Sequence, residues 1–499
     1  MNKKIILLSL FLNFVFCSVF AGTMDPKVRQ VPKDTMEFVF KNPKEGLPSV
    51  VKNLTQNVSG AQAKAKVIHD WICDNISYDT GMYFSGRVSK QDYESVLKCK
   101  KGVCSGYTNL MNEMCRLAGI ESIGISGYSK GFGYSGKLGN QPDHAWNAIN
   151  VNGKWKLIDV TWDAGYVDFK TYVKHYSDEW FCLESKYFIY SHLPEKEEYQ
   201  YLDNPISAEQ FVKDLYIAGK FFKMGFSLGK NIPDYSTIIS EATEFDFGIK
   251  QSGISITSEI READTQREVR NSVWVNRTGN NFTVNFDVPD NNNYRAIIFA
   301  KKTSEENYGN RFSITRFEQD FIPRAEGLVA AKKITEKEFE YFKNAFFKVQ
   351  ENNSYYLYED LFANTRNIAI KKIFKLLDVS GGMLEPVLDF KLNASDTYAG
   401  FGDKMKYPSV YSTYDGATGT CLISPLGGIL QKGETVKFEI TSKDFTGIAV
   451  KLSDSLTPLK KDANGNFSGE FEIGEIDKVI VFGTKNNQNY SGLWFYEVK

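Results

Sequence analysis

Apolar residues after Cys104 recur at Tyr107, Leu110, Met111, Met114, Leu117 and Ala118, the i, i+3, i+4, i+7 stripe of a half-buried helix, and Gly119 supplies its stop. Gly102 and Gly106 flank Cys104, so the chain can turn sharply into that helix. Further along, 144–151 and 154–162 are runs rich in aromatic and β-branched residues around Asn152-Gly153, a strong hairpin signal. A two-residue loop sets Val151 opposite Lys154, and the same register sets His144 opposite Thr161 and Trp146 opposite Asp159. These four side chains would then share one face, with Asp159 diagonal to His144 and within its reach.

The pattern changes near Pro205. Short β-rich runs with turns between them cover 245–249, 254–260, 272–275, 282–288 and 295–300, the spacing of a β-sandwich. Phe339, Phe342, Phe346 and Phe347 fall at helical spacing within 335–348 and predict a packed connector helix. An internal echo suggests duplication: Asn281-Phe282 and Phe286 recur as Asn466-Phe467 and Phe471, Ile298-Phe299 as Val481-Phe482, and Asn307-Tyr308 as Asn489-Tyr490. The expected division is 1–21, a signal peptide; 22–54, an N-terminal extension; 55–205, an α+β domain; and immunoglobulin-like sandwiches at 206–375 and 376–499.

Composition narrows the setting. Lys3 and Lys4 precede an apolar run over 5–15, and Val19-Phe20-Ala21 precedes Gly22, the layout of a secretory signal cleaved after Ala21. The expected location is therefore secreted or periplasmic. A net charge of −1 carries no basic excess, which argues against a nucleic-acid partner. No later run is long and apolar enough to predict stable membrane insertion. Beyond Cys17 the cysteines are Cys73, Cys99, Cys104, Cys115, Cys182 and Cys421; if Cys104 is a nucleophile, an odd number remains, and few or no structural disulfides are expected.

The chemistry concentrates in three segments. Cys104 would open its helix, where the positive end of the peptide dipoles favours a thiolate and a free backbone N–H can meet an oxyanion. With His144 and Asp159 it makes up a thiol, a base and an orienting carboxylate. Asp163, of the same parity, competes for the role of Asp159. Gly131-Phe132-Gly133-Tyr134-Ser135-Gly136 fits a dinucleotide fingerprint in letters only, since no helix pattern follows it; it reads as a linker or a rim over a cleft. His69 and Cys73, four apart on a helix, lack a second pair with zinc spacing and read as buried structural residues.

Gly-Val-Cys104-Ser-Gly-Tyr, Asp143-His144-Ala-Trp-Asn147 and Trp155-Lys-Leu-Ile-Asp159-Val-Thr-Trp-Asp163 resemble motifs of the transglutaminase-like superfamily of papain-fold cysteine enzymes. The 68–72 and 75–79 segments look like the helix and turn that precede its nucleophile. The resemblance covers roughly residues 55–200 and is closest in kind to the kyphoscoliosis-peptidase branch, where similar β modules follow. It implies Cys104 as nucleophile, His144 as base and acid, Asp159 as the orienting group, and amide substrates processed through an acyl-enzyme, with a lean to peptide hydrolysis. Besides the Cys104 backbone, Trp71 and Tyr107 are the candidates for a second oxyanion donor. No cofactor and no metal are expected. The expected partners are a protein or peptide substrate, a cell-wall peptide among them, and a protein docked on the β modules. The competing reading is a catalytically degenerate domain kept as an extracellular binding protein.

Overall fold

The computed structural model describes residues 24–131, 133–168, 170–250, 254–302, 322–330, 333–351, 373, 385–402, 405–411 and 419–499. The expected signal peptide and Asn307-Tyr308 lie outside the described residues. The chain folds as an α+β domain followed by two β-sandwiches.

The first domain is helices packed on one antiparallel sheet. Its strand order is Phe181–Leu183, Lys154–Ile158, His144–Val151, Ser122–Ser129 and His192–Pro194. Tyr107, Leu110, Met111 and Met114 are almost wholly buried, so the predicted stripe of the Cys104–Leu117 helix is its core face. That face meets the Ala61–Asn75 helix and the His144–Val151 strand. The 22–54 segment is not a separate extension. The Lys33–Lys41 and Pro43–Thr55 helices bury Val39, Leu47, Val50, Val51 and Leu54 in this same core, because an amphipathic helix needs a partner for its apolar face.

The predicted hairpin forms with Val151 opposite Lys154, but its second strand ends at Ile158, opposite Asn147. Asp159 leaves the sheet and caps a short helix, Val160–Ala164, accepting from the N–H groups of Thr161 (2.8 Å) and Trp162 (3.1 Å). The expected pairs His144–Thr161 and Trp146–Asp159 are therefore absent, because a carboxylate that can cap a helix turn competes with strand extension. His144 instead pairs with Gly127 on its other side.

The first sandwich joins a sheet ordered Phe226–Leu228, Thr243–Ile249, Asn281–Phe286, Val273–Thr278 to one ordered Ser236–Ile239, Glu385–Ala394, Asn293–Lys302, Ile254–Glu262, Glu268–Val269. The Glu385–Ala394 strand lies between two strands of this module, so the boundary expected at 375 falls after that strand. Residues 303–384 are an excursion between neighbouring strands; its Glu336–Glu351 helix carries the predicted phenylalanines, with Phe339 and Phe342 buried. The second sandwich holds the echo: Asn466–Glu472 sits in its sheet as Asn281–Phe286 does in the first, and Phe282 and Phe467 are both buried. None of the described helices is long and apolar enough to cross a membrane.

Candidate active site

Cys104 is partly exposed at the first position of its helix. A helix leaves its first N–H groups without internal acceptors, so the Cys104 amide has no acceptor within its helix. No side chain caps this end; the Gln91 side-chain oxygen accepts from the Val103 N–H at 2.9 Å, fixing the turn one residue earlier. Lys101-Gly102 runs parallel to Ser77-Tyr78, which sets Tyr78 beside the turn. A Cβ at Gly106 would press on the Gln91 side-chain oxygen and on Val96, so a side chain there would disturb the Gln91–Val103 bond.

His144 is buried, with its ring stacked on Trp162 at 5.3 Å between centroids. Its Nε2 is 2.7 Å from Asp159 Oδ2, and the Cys104 thiol is a further hydrogen-bond partner of the ring. Burial alone would lower the His144 pKa. The charge and hydrogen bond of Asp159, and then Cys104, raise it to about 10. The same contacts act in reverse on Asp159: burial opposes its ionisation, but His144, and then His192, hold it well below the usual carboxylate range.

Three placements depart from expectation. Trp71 and Tyr107 are core residues: the Trp71 indole N–H points to Met36 Sδ at 3.4 Å, and the Tyr107 hydroxyl donates to the Ile76 carbonyl at 3.0 Å. Their donors are engaged by partners within the core, so neither suits an oxyanion. Asp163 serves another histidine. Its Oδ2 lies 3.0 Å from His69 Nε2, while Asp70 Oδ1 lies 2.8 Å from His69 Nδ1. His69 and Cys73, 3.8 Å apart, are both fully buried.

Two residues of the site escaped the sequence reading. Burial first, and then the charges of Cys104, Tyr83 and Asp159, raise the Tyr78 pKa, so its phenol keeps its proton next to the thiol. The second is His192, whose Nε2 lies 3.1 Å from the same Asp159 oxygen that meets His144. Pairing parity could have found it: His192 lies opposite Ser129, two residues from the Gly127 that faces His144, and so on the same face. His144, Asp159 and His192 offer three ligand atoms within 4.8 Å of one another. The separations of 2.7 and 3.1 Å from Asp159 are ordinary hydrogen-bond lengths, so the cluster is explained as a hydrogen-bonded set.

Residues 48–160 match the model of the transglutaminase-like superfamily. This chain carries a transglutaminase-like domain. Human kyphoscoliosis peptidase is 35% identical to the chain over 188 residues, 36% of this chain and 28% of that protein. Hillarin of Drosophila melanogaster is 26% identical over 220 residues, 39% of this chain and 27% of its own length. The chain thus matches little more than a quarter of either relative. A solved TGase structure aligns at 17% identity over 26% of this chain and 33% of its own, with a TM-score of 0.20. The transglutaminase-like domain contains Cys104, His144 and Asp159 within the matched span, while His192 lies beyond it.

Proposed function

We propose that this chain is an exported cysteine enzyme that cleaves peptide amides through Cys104, His144 and Asp159. The observation that carries the reading is the His144 ring, held between a partly exposed thiol at a helix start and a buried carboxylate at 2.7 Å. The thiolate attacks the amide carbonyl, forming a C–S bond while the carbonyl π electrons pass to oxygen. The Cys104 N–H and the Tyr78 hydroxyl donate to that oxyanion. His144, charged and paired to Asp159, gives its proton to the leaving amine as the C–N bond breaks. Water then enters; His144 takes its proton, the C–S bond breaks, and the carboxylic acid leaves. An amine in place of water would give transamidation through the same groups. The similarity to kyphoscoliosis peptidase supports hydrolysis, and the N-terminal charged and apolar pattern supports export with Gly22 as the mature N-terminus.

The test is the pH dependence of Cys104 alkylation by iodoacetamide, resolved by mass spectrometry from the other thiols, together with hydrolysis of unfolded casein. The expected outcome is rapid labelling into mildly acidic pH that slows in His144→Ala. Casein cleavage should be lost in Cys104→Ala and reduced about 10²–10³-fold in Tyr78→Phe, the loss typical of one oxyanion donor. Labelling that rises only with ordinary thiol ionisation and ignores His144→Ala would remove the enzyme reading and leave a binding domain.

A further inference from the structure

Asp159 is occupied on both oxygens. Oδ1 accepts from the Thr161 and Trp162 N–H groups, and Oδ2 faces His144 Nε2 at 2.7 Å and His192 Nε2 at 3.1 Å. His192 is fully buried, and its ring is fixed by Phe188 (4.1 Å between centroids, 29° between planes) and Trp162 (4.4 Å). Its Nδ1 lies 2.7 Å from Ser191 Oγ. The Ser191 Oγ also lies 3.0 Å from the Phe188 carbonyl, which accepts the Ser191 N–H at 3.1 Å; the contact to His192 is the shorter, and a neutral ring that donates Nε2–H to Asp159 leaves Nδ1 as the acceptor of the hydroxyl proton. A chain of donors follows: Ser191 O–H to His192 Nδ1, and His192 Nε2–H to Asp159.

Resting on the Cys104–His144–Asp159 reading, we propose that His192 is a positioning residue for that site: a neutral Nε2–H tautomer, set by Ser191, that holds Asp159 Oδ2 toward His144 and shares its negative charge. The physical need is plain. A buried carboxylate whose Oδ2 met one imidazolium and no other donor would bind that proton too tightly for His144 to release it to a leaving amine. A second, neutral donor leaves the carboxylate ionised and weakens its pull. Burial first, and then repulsion from His144, lower the His192 pKa to about 4, consistent with a neutral ring. The titratable groups around His144 are Cys104, Asp159, His192 and Asp143, with Tyr78 and Tyr83 beyond Cys104.

The chain has four histidines, so ¹⁵N-histidine NMR of the full-length mature protein can resolve each ring. The proposal requires His192 with a proton on Nε2 and none on Nδ1 at neutral pH; the opposite tautomer, or a charged ring, overturns it. Two variants supply the second readout. His192→Phe keeps the aromatic packing and removes the donor, and His192→Gln returns an N–H near the Nε2 position. His144 should hold its proton about tenfold more tightly in His192→Phe, moving the alkaline step of the iodoacetamide–Cys104 rate up by about one pH unit. His192→Gln should restore the wild-type step. An unchanged or lowered His144 affinity in the phenylalanine variant, or a glutamine variant that behaves like it, overturns the assignment. Failure of the enzyme reading looks different: the wild-type rate would then show no His144-dependent step at all. If His192→Phe does not fold, the wild-type tautomer still decides.

Discussion

His69 is a buried ring whose partners, Asp70, Asp163 and Cys73, lie outside the Cys104–His144–Asp159 cluster. Both of its nitrogens face carboxylates, at 2.8 Å (Asp70) and 3.0 Å (Asp163), so both must donate and the ring is an imidazolium. Burial opposes that charge, but Cys73 and the hydrogen bonds to Asp163 and Asp70 raise the pKa well above its ordinary 6.5. A raised folded-state pKa means stability that is fully present below about 6.5 and is lost as pH rises through the folded value. His192 has the opposite sign. Its pKa falls to about 4, so the unfolded chain takes a proton that the native ring refuses, and stability is lost as pH falls from 6.5 toward 4. His69→Leu should cost about 3–5 kcal/mol at neutral pH, because it leaves buried Asp163 with only the Ser177 hydroxyl and the Trp180 N–H and no cation, while Asp70 keeps Lys66; urea denaturation measures it. The cost should shrink at alkaline pH, where the wild-type ring also loses its proton, and a constant cost across pH would show that His69 is neutral in the native state.

At the scale of elements, the site is made by strand pairing around one glycine. Gly127 faces His144 on one side and Pro194 on the other, and directly opposed residues share a face. A Cβ there would fall within 3.0 Å of the Leu193 carbonyl and the Trp146 ring. Gly127→Ala must therefore push the His192–Pro194 strand away, at about 1–3 kcal/mol by overpacking. It should also slow Cys104 alkylation at acidic pH by displacing His192 and His144 together, whereas Gly153→Ala in the hairpin turn should leave labelling unchanged. Equal labelling in both variants would place the histidines beyond the influence of that strand. The helix at Cys104 and the hairpin were legible in the sequence because their signals are local: apolar periodicity after a glycine-flanked thiol, and Asn152-Gly153 between β-rich runs. Asp159 was legible as a residue but not in its backbone state, since one capping carboxylate outweighed the continuation of a strand. His192 was hidden because its partner strand, Ser122–Ser129, lies far from it in sequence. The Glu385–Ala394 strand was assigned to the wrong module for the same reason: its partners precede it by the whole 303–384 excursion.

Across the whole molecule, the first sandwich reaches the rim of the site. Tyr235, whose N–H donates to the Lys213 carbonyl at 2.9 Å, meets Tyr134 edge-on at 5.1 Å. Its ring also covers Gly136, where φ is +91° and a Cβ would touch it at 3.0 Å. Gly131, at the other end of the same glycine-rich segment, packs its backbone against the Trp162 ring that stacks on His144. The segment is thus held at one end by the site and at the other by the sandwich, which gives the β module a mechanical share in the transglutaminase-like domain. An aromatic pair of this kind contributes about 1 kcal/mol, roughly fivefold in a local opening equilibrium. Tyr235→Ala should therefore speed amide deuterium exchange over 133–138 by about that factor while leaving the Cys104–Leu117 helix unchanged. Uniform acceleration across the domain would mean that the substitution loosens the fold as a whole. No change at 133–138 would mean that the rim is held by the transglutaminase-like domain alone, and the sandwich would then be free to serve a docked partner without consequence for the thiol.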